Sequence, residues 1–177
     1  MLSSTTQLYK YWCGLRQGGL PNLRDFNPGR VAALVPDMLA VEVHEQFANY
    51  KVLTVGTSVR ASFGDELAGK CFGDLTLGPS TPDILRDYQV CAQDRVVILS
   101  RQTFLVDDVG PYVHERILLP FGIGSSGRVG QIMAGLFFDR PYPGEAWVDA
   151  VTDWNEEERT VFDLGGNIID SDRTQPR

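Results

Sequence analysis

The residues best equipped for chemistry are a glycine loop, two histidines, three cysteines and a few paired carboxylates. Gly122-Ile-Gly-Ser-Ser-Gly-Arg-Val129 fits G-x-G-x-x-G, and also the longer G-x-G-x-x-G-x-V. Such loops cradle phosphates with backbone N–H groups. A dinucleotide site needs a helix after the glycines, because the helix N-terminus holds the pyrophosphate. Val129–Phe138 instead reads as a strand. A phosphoryl-transfer loop of strand–turn–strand form needs a lysine on the next strand and downstream H-R-D and D-F-G segments. The only lysines, Lys10, Lys51 and Lys70, all lie upstream. The glycine run is therefore expected to be a hairpin turn that binds no nucleotide.

The other candidates are weaker. His44 and His114 stand far apart, and Cys13, Cys71 and Cys91 form no Cys-x-x-Cys, so no metal-ligand spacing appears. His114, beside Glu115 on a strand, reads as a surface or edge residue. Nothing in the residue order places a histidine beside a nucleophile and an orienting acid. Asp65-Glu66 and Asp107-Asp108 sit at turn-like positions and read as solvated. Catalysis is not expected, and no metal or other cofactor is implied.

The elements that would position these residues alternate clearly. Leu8, Tyr11, Trp12 and Leu15 recur at helical spacing, one apolar stripe closed by Gly18-Gly19 and Pro21. Asn27, Pro28 and Pro36 punctuate a second helix, with Phe26 and Val31 set as a staple. Met38–Val43 alternates as a strand, and Tyr50–Val55 returns beside it. Thr81 and Pro82 open the longest helix, to about Arg95, with Ile84, Leu85, Tyr88 and Cys91 inward. Val96–Val106, Tyr112–Phe121 and Val129–Phe138 complete an α+β order. Beyond Asp139 the pattern changes. Pro141, Pro143 and Gly144 read as a hinge, and Trp147, Val151 and Trp154 recur at helical spacing. Ser171–Arg177 reads as disordered.

Composition bounds the function classes. The 177 residues carry a net charge of −7, of which residues 141–177 hold nine acids against three arginines. The body is nearly neutral and the tail acidic, so neither offers the basic surface that nucleic acid requires. No apolar run is long enough to span a bilayer, and Leu2–Lys10 lacks the apolar region of a signal peptide. Unpaired cysteines fit a cytoplasmic location.

The middle of the chain carries a resemblance. A strand at Tyr50–Val55, Gly56-Thr57, a short helix and then Phe63-Gly-Asp-Glu-Leu-Ala-Gly-Lys70 resemble the centre of a PAS sensory domain. An opening helix with Tyr11-Trp12 and Leu15-Arg16, and a strand with Leu119-Pro120, extend the match from about Leu8 to Asp139. Together they resemble a family of stand-alone proteobacterial PAS-like proteins. The resemblance implies a five-stranded antiparallel sheet with helices on one face and an N-terminal helical extension. Residues 1–37 would form that cap, 38–139 the PAS-like domain and 140–177 an acidic tail.

It also implies a non-catalytic sensory or regulatory module that passes its signal to another chain. Haem-binding relatives place a histidine on the long helix, and none stands on Thr81–Arg95. Flavin-binding relatives use an Asn-Cys-Arg-Phe-Leu-Gln stretch, which Lys70-Cys71-Phe72-Gly73 does not match. The expected lining between sheet and helices is Phe63, Leu67, Phe72, Tyr88, Cys91, Leu118, Met133 and Ala134, either a filled core or a pocket for a small apolar or aromatic ligand. Leu8, Tyr11, Trp12 and Leu15 are candidates for a homodimer contact. Trp147 and Trp154 are candidates for docking a signalling protein. The alternative function is a ligand-free interaction or scaffold module.

Overall fold

The computed structural model describes residues 1–44, 50–63, 67–75, 81–106, 111–124, 126–140 and 151–174, with side chains at 81, 104–106, 151–157 and 173–174 left undescribed. Gly64, Asp65-Glu66, Asp107-Asp108, Pro141–Gly144 and Trp147 lie outside the described residues. The elements are α1 (Ser3–Leu15), β1 (Met38–Val43), β2 (Tyr50–Val55), α2 (Thr57–Phe63), α3 (Thr81–Asp94), β3 (Val97–Val106), β4 (Pro111–Gly122), β5 (Val129–Phe138), β6 (Val151–Phe162) and β7 (Ile168–Thr174). The sheet has seven strands in the order β2-β1-β5-β4-β3-β6-β7, and every adjacent pair is antiparallel.

The α+β class and the antiparallel sheet hold, but the strand count rises from five to seven. The helix expected from Trp147, Val151 and Trp154 is replaced by strand: Val151–Phe162 pairs along β3 from Val106 to Val97. β7 then pairs with β6 through Thr174, so Ser171–Thr174 is strand and not disordered. The boundary expected at 139/140 falls between β5 and β6, and one sheet includes strands from both sides of it. Three successive glutamates (Glu156–Glu158) are poor strand formers. Tertiary pairing with β3 overrides that preference. The second helix also shrinks, to 3₁₀ turns at Pro28–Val31 and Val35–Asp37. Asn27 still caps the first of these, its Oδ1 accepting the Gly29 N–H at 2.9 Å, but so short a segment forms too few bonds to repay helix nucleation.

Period-two alternation sends successive side chains to opposite faces, and both faces are covered. On one, α2 and α3 bury Ile98, Leu118, Ile132 and Ala134 with Tyr50, Phe72, Tyr88 and Cys91. On the other, α1 sets Leu8 and Trp12 against Val97, Ile117, Leu119, Met133 and Phe137. Trp12 donates its indole N–H to the Pro120 carbonyl at 3.1 Å. Gly135 makes this approach possible, because a Cβ there would meet the Phe137 ring at 2.5 Å and Leu8 at 2.8 Å. At the rim, Gly56 lies so close to the Val35 and Pro36 carbonyls that a Cβ would clash at 2.2 Å. Arg95 ends α3 with φ of 58°, the left-handed conformation common just past a helix.

Candidate functional site

α3 lies over β3, β4 and β5 and, with α2 and the segment 67–75, covers a cavity of about 60 Å³. Its apolar wall comes from Leu39, Val52, Phe63, Leu67, Phe72, Leu75, Ile84, Tyr88 and Leu136. Phe72 and Tyr88 meet edge to face with ring centres 4.7 Å apart, and Tyr50 flanks them, its ring centre 5.6 Å from that of Tyr88. This aromatic trio fixes the wall, since such pairs prefer one geometry. The Tyr50 hydroxyl is buried with no hydrogen-bond partner among the described residues, and burial pushes its pKa up to about 12.

The remaining lining is polar: Gln102, His114 and Arg116. His114 and Arg116 lie two residues apart on β4, and Gln102 is the β3 partner of His114. Arg116 is 5% exposed and Asp87, on α3, 2%. An Arg116 terminal nitrogen donates to Asp87 Oδ2 at 2.5 Å, and the Ser100 hydroxyl donates to the same oxygen at 3.0 Å. Arg159, from β6, donates its Nε–H to Asp87 Oδ1 at 2.7 Å and reaches Asp170 on β7 at 3.4 Å. One buried carboxylate thus ties α3 to β3, β4 and β6. Burial and the Arg116 charge push the His114 pKa down to about 3, so its imidazole is neutral near neutral pH. Burial likewise drives the Cys91 thiol pKa upward, which suits a packed thiol.

Of the lining expected from the sequence, Phe63, Leu67, Phe72 and Tyr88 border the cavity. Cys91, Leu118 and Ala134 belong to the same core but do not line it. Met133 is a correction: it packs under α1 on the opposite face, because its neighbour Ala134 faces α3 and adjacent strand residues cannot share a face. His114 is another, since it is buried on a central strand. The missed residues were within reach of the same rule. Leu118 facing inward places Arg116 and His114 inward, and Ala134 does the same for Leu136.

Leu8 and Trp12, offered as dimer contacts, are consumed by the chain's own sheet; Tyr11 and Leu15 are half-buried beside them. Tyr11 packs edge-on against Phe26, and its hydroxyl accepts the Asn27 N–H at 2.8 Å. Trp154 pairs with Phe104 through its backbone, and its side chain lies outside the described residues.

The glycine run joins β4 to β5 as a hairpin, with Gly124 and Gly127 at positive φ. An open depression of about 840 Å³ adjoins it. Its charged residues are Arg24 and Arg95 against Asp25, Asp94 and the half-buried Asp163, so it offers no excess of positive charge for a phosphate. Among the described residues no group of three or more metal-ligating side chains occurs, and no helix is long and apolar enough to cross a membrane.

No curated protein and no solved structure gives a significant match. A family model described as PAS domain matches residues 1–136, nearly the stretch that carried the resemblance. That match covers α1 and the sheet through most of β5, with the cavity between sheet and α3. The chain belongs to the PAS domain family, whose members are sensory and regulatory modules.

Proposed function

We propose that this protein senses a small, mostly apolar molecule in the cavity between the sheet and α2–α3, and signals through contacts with another protein. One observation carries the reading: a cavity with an aromatic wall and a few convergent buried polar groups sits where α3 meets the sheet. At about 60 Å³ it suits a ligand of few heavy atoms. Asp87 gives the signal a route. A ligand that shifts Arg116 alters the carboxylate that also holds Arg159, and so reaches the β6–β7 hairpin. No catalytic step is assigned.

A screen of small apolar and aromatic compounds by thermal shift tests this. A ligand at a hundred times its dissociation constant stabilises the fold by roughly 2.7 kcal/mol, and Leu75→Trp, which fills the cavity, is expected to abolish the shift. Absence of any shift across the screen, with native mass spectrometry of freshly purified protein showing no bound molecule, would sink the sensor reading.

The second reading, an interaction module without ligand, draws on a different feature. Exposed Val35 and Leu53 border an apolar groove of about 370 Å³ beside β1 and β2. A homodimer would then use this groove and not the α1 stripe. Sedimentation of wild type and Leu53→Glu separates the two surfaces: loss of a dimer in the variant favours the groove, and a monomer in both removes it.

A further inference from the structure

Arg116 holds more hydrogen-bonding capacity than its neighbours use. One terminal nitrogen serves Asp87 and approaches the Ser100 hydroxyl at 3.3 Å. Its Nε is buried without a hydrogen-bond partner among the described residues. A buried guanidinium N–H left without an acceptor is costly, and guanidinium donors form a fixed fork that matches a carboxylate. The surrounding charge points the same way. Among the described residues, Asp87 alone faces both Arg116 and Arg159. Asp170 reaches only Arg159, from a side chain 62% exposed. Counted over the described side chains, the inner cluster carries one positive charge in excess.

The cavity's size and the rest of its lining narrow the partner. About 60 Å³ leaves no room for a nucleotide or a sugar. Among the described residues, the lining beyond Gln102, His114 and Arg116 is apolar apart from the Tyr88 hydroxyl, so a second anionic group would meet no counter-charge from them. His114 adds no charge near neutrality.

We propose that the cavity takes a small monocarboxylate, its anionic head at Arg116 and Gln102 and its apolar body against Phe63, Phe72, Ile84 and Tyr88. This rests on the small-molecule reading above and replaces a purely apolar ligand with an amphiphilic one. The Gln102 amide, 6% exposed and lining the same cavity, can donate to the second carboxylate oxygen.

The test uses the full chain near neutral pH, with sodium butyrate, butyramide and butanol as probes and sodium chloride at matched ionic strength as control. Calorimetric titration is expected to give saturable butyrate binding, at least about tenfold tighter than butyramide. Gln102→Leu, which leaves the Asp87 pairs intact, is expected to weaken butyrate by about tenfold while leaving butanol unchanged. Butyramide or butanol binding as tightly as butyrate would overturn the anionic head and leave the cavity reading standing. If none of the three binds, the carboxylate proposal is overturned, and xenon decides the cavity itself. Xenon binding that Leu75→Trp blocks retains a small-molecule site, and xenon exclusion from wild type removes it. A chloride response equal to that of butyrate would mark a general salt effect and overturn the proposal as well.

Discussion

The two faces of the sheet are closed by different means. Under α1 the contact is largely apolar and dense: Leu8 sits over Gly135, and Trp12 is 1% exposed with its one polar atom satisfied. The one buried carboxylate among the described residues there, Glu115, accepts the Leu2 N–H at 2.6 Å where the chain enters α1. Under α3 the contact is partly ionic, centred on Asp87, and leaves a cavity. Apolar packing is non-directional and tolerates no gap, since a void forfeits dispersion contacts on its whole lining. An ionic cluster is directional and has alternatives, because a guanidinium can exchange one acceptor for another. The first face suits a fixed scaffold and the second a responsive one.

The α1 face depends most on Trp12. Trp12→Ala is expected to cost about 3–5 kcal/mol in chemical denaturation, from lost burial plus the unpaired Pro120 carbonyl. A loss below about 1 kcal/mol would mean that α1 is not part of the scaffold. Asp87→Asn probes the other face. Leaving Arg116 and Arg159 without a buried counter-charge is expected to cost about 3 kcal/mol, whereas Asp87→Met with Arg116→Met recovers the part due to Arg116, the more deeply buried of the two. Failure of the double variant to recover would show that the pair contributes packing and not charge compensation. Gly135→Val forces a side chain into Leu8 and Phe137 and is expected to cost about 1–3 kcal/mol, with amide exchange speeding in α1 and not in α3.

The pH dependence sharpens the picture of the α3 face. His114 in the folded chain titrates at about 3 against an ordinary 6.5, so the unfolded chain takes up a proton that the folded one refuses. Its contribution is complete above pH 6.5 and is lost progressively as the pH falls toward 3, by at most about 1.4 kcal/mol per unit. Comparing wild type with His114→Gln across that window isolates it; equal slopes would place the imidazole in water. Tyr50→Phe has the smallest expected effect. With no partner to lose among the described residues, the change is expected to be neutral or stabilising by up to about 1 kcal/mol. A marked loss would reveal an acceptor for the hydroxyl.

Much of this was legible in the sequence, and the failures share a cause. The helix stripes of α1 and α3, Asn27 as a cap and the alternation of Met38–Val43 are local signals, and each marks a real feature. The β6–β7 hairpin was not legible because β6 turns inward only Val161 as an apolar residue among its described side chains on that face, while Arg159 beside it meets Asp87 seventy-two positions away. Hydrophobic periodicity cannot register an arginine as a core residue. Its partner Asp87 escaped for the same reason, although it lies one position before Tyr88 on α3. Met133 was assigned to the wrong face although alternation alone forbade pairing it with Ala134, whereas Arg116 and His114 follow from Leu118 by counting in twos.

β7 has a consequence for how the molecule behaves at high concentration. Without β6 and β7, β3 would end the sheet as a ten-residue edge, long enough to template pairing between chains. The hairpin moves that edge outward to a strand on which the exposed Ile168 and Ile169 are followed at once by Asp170, Asp172 and Arg173. Two copies meeting there in antiparallel fashion would bring their aspartates together, and like charges across strands repel. The acidity of the C-terminal region thus acts as colloidal protection, and it is expected to weaken as the pH drops low enough to protonate those carboxylates.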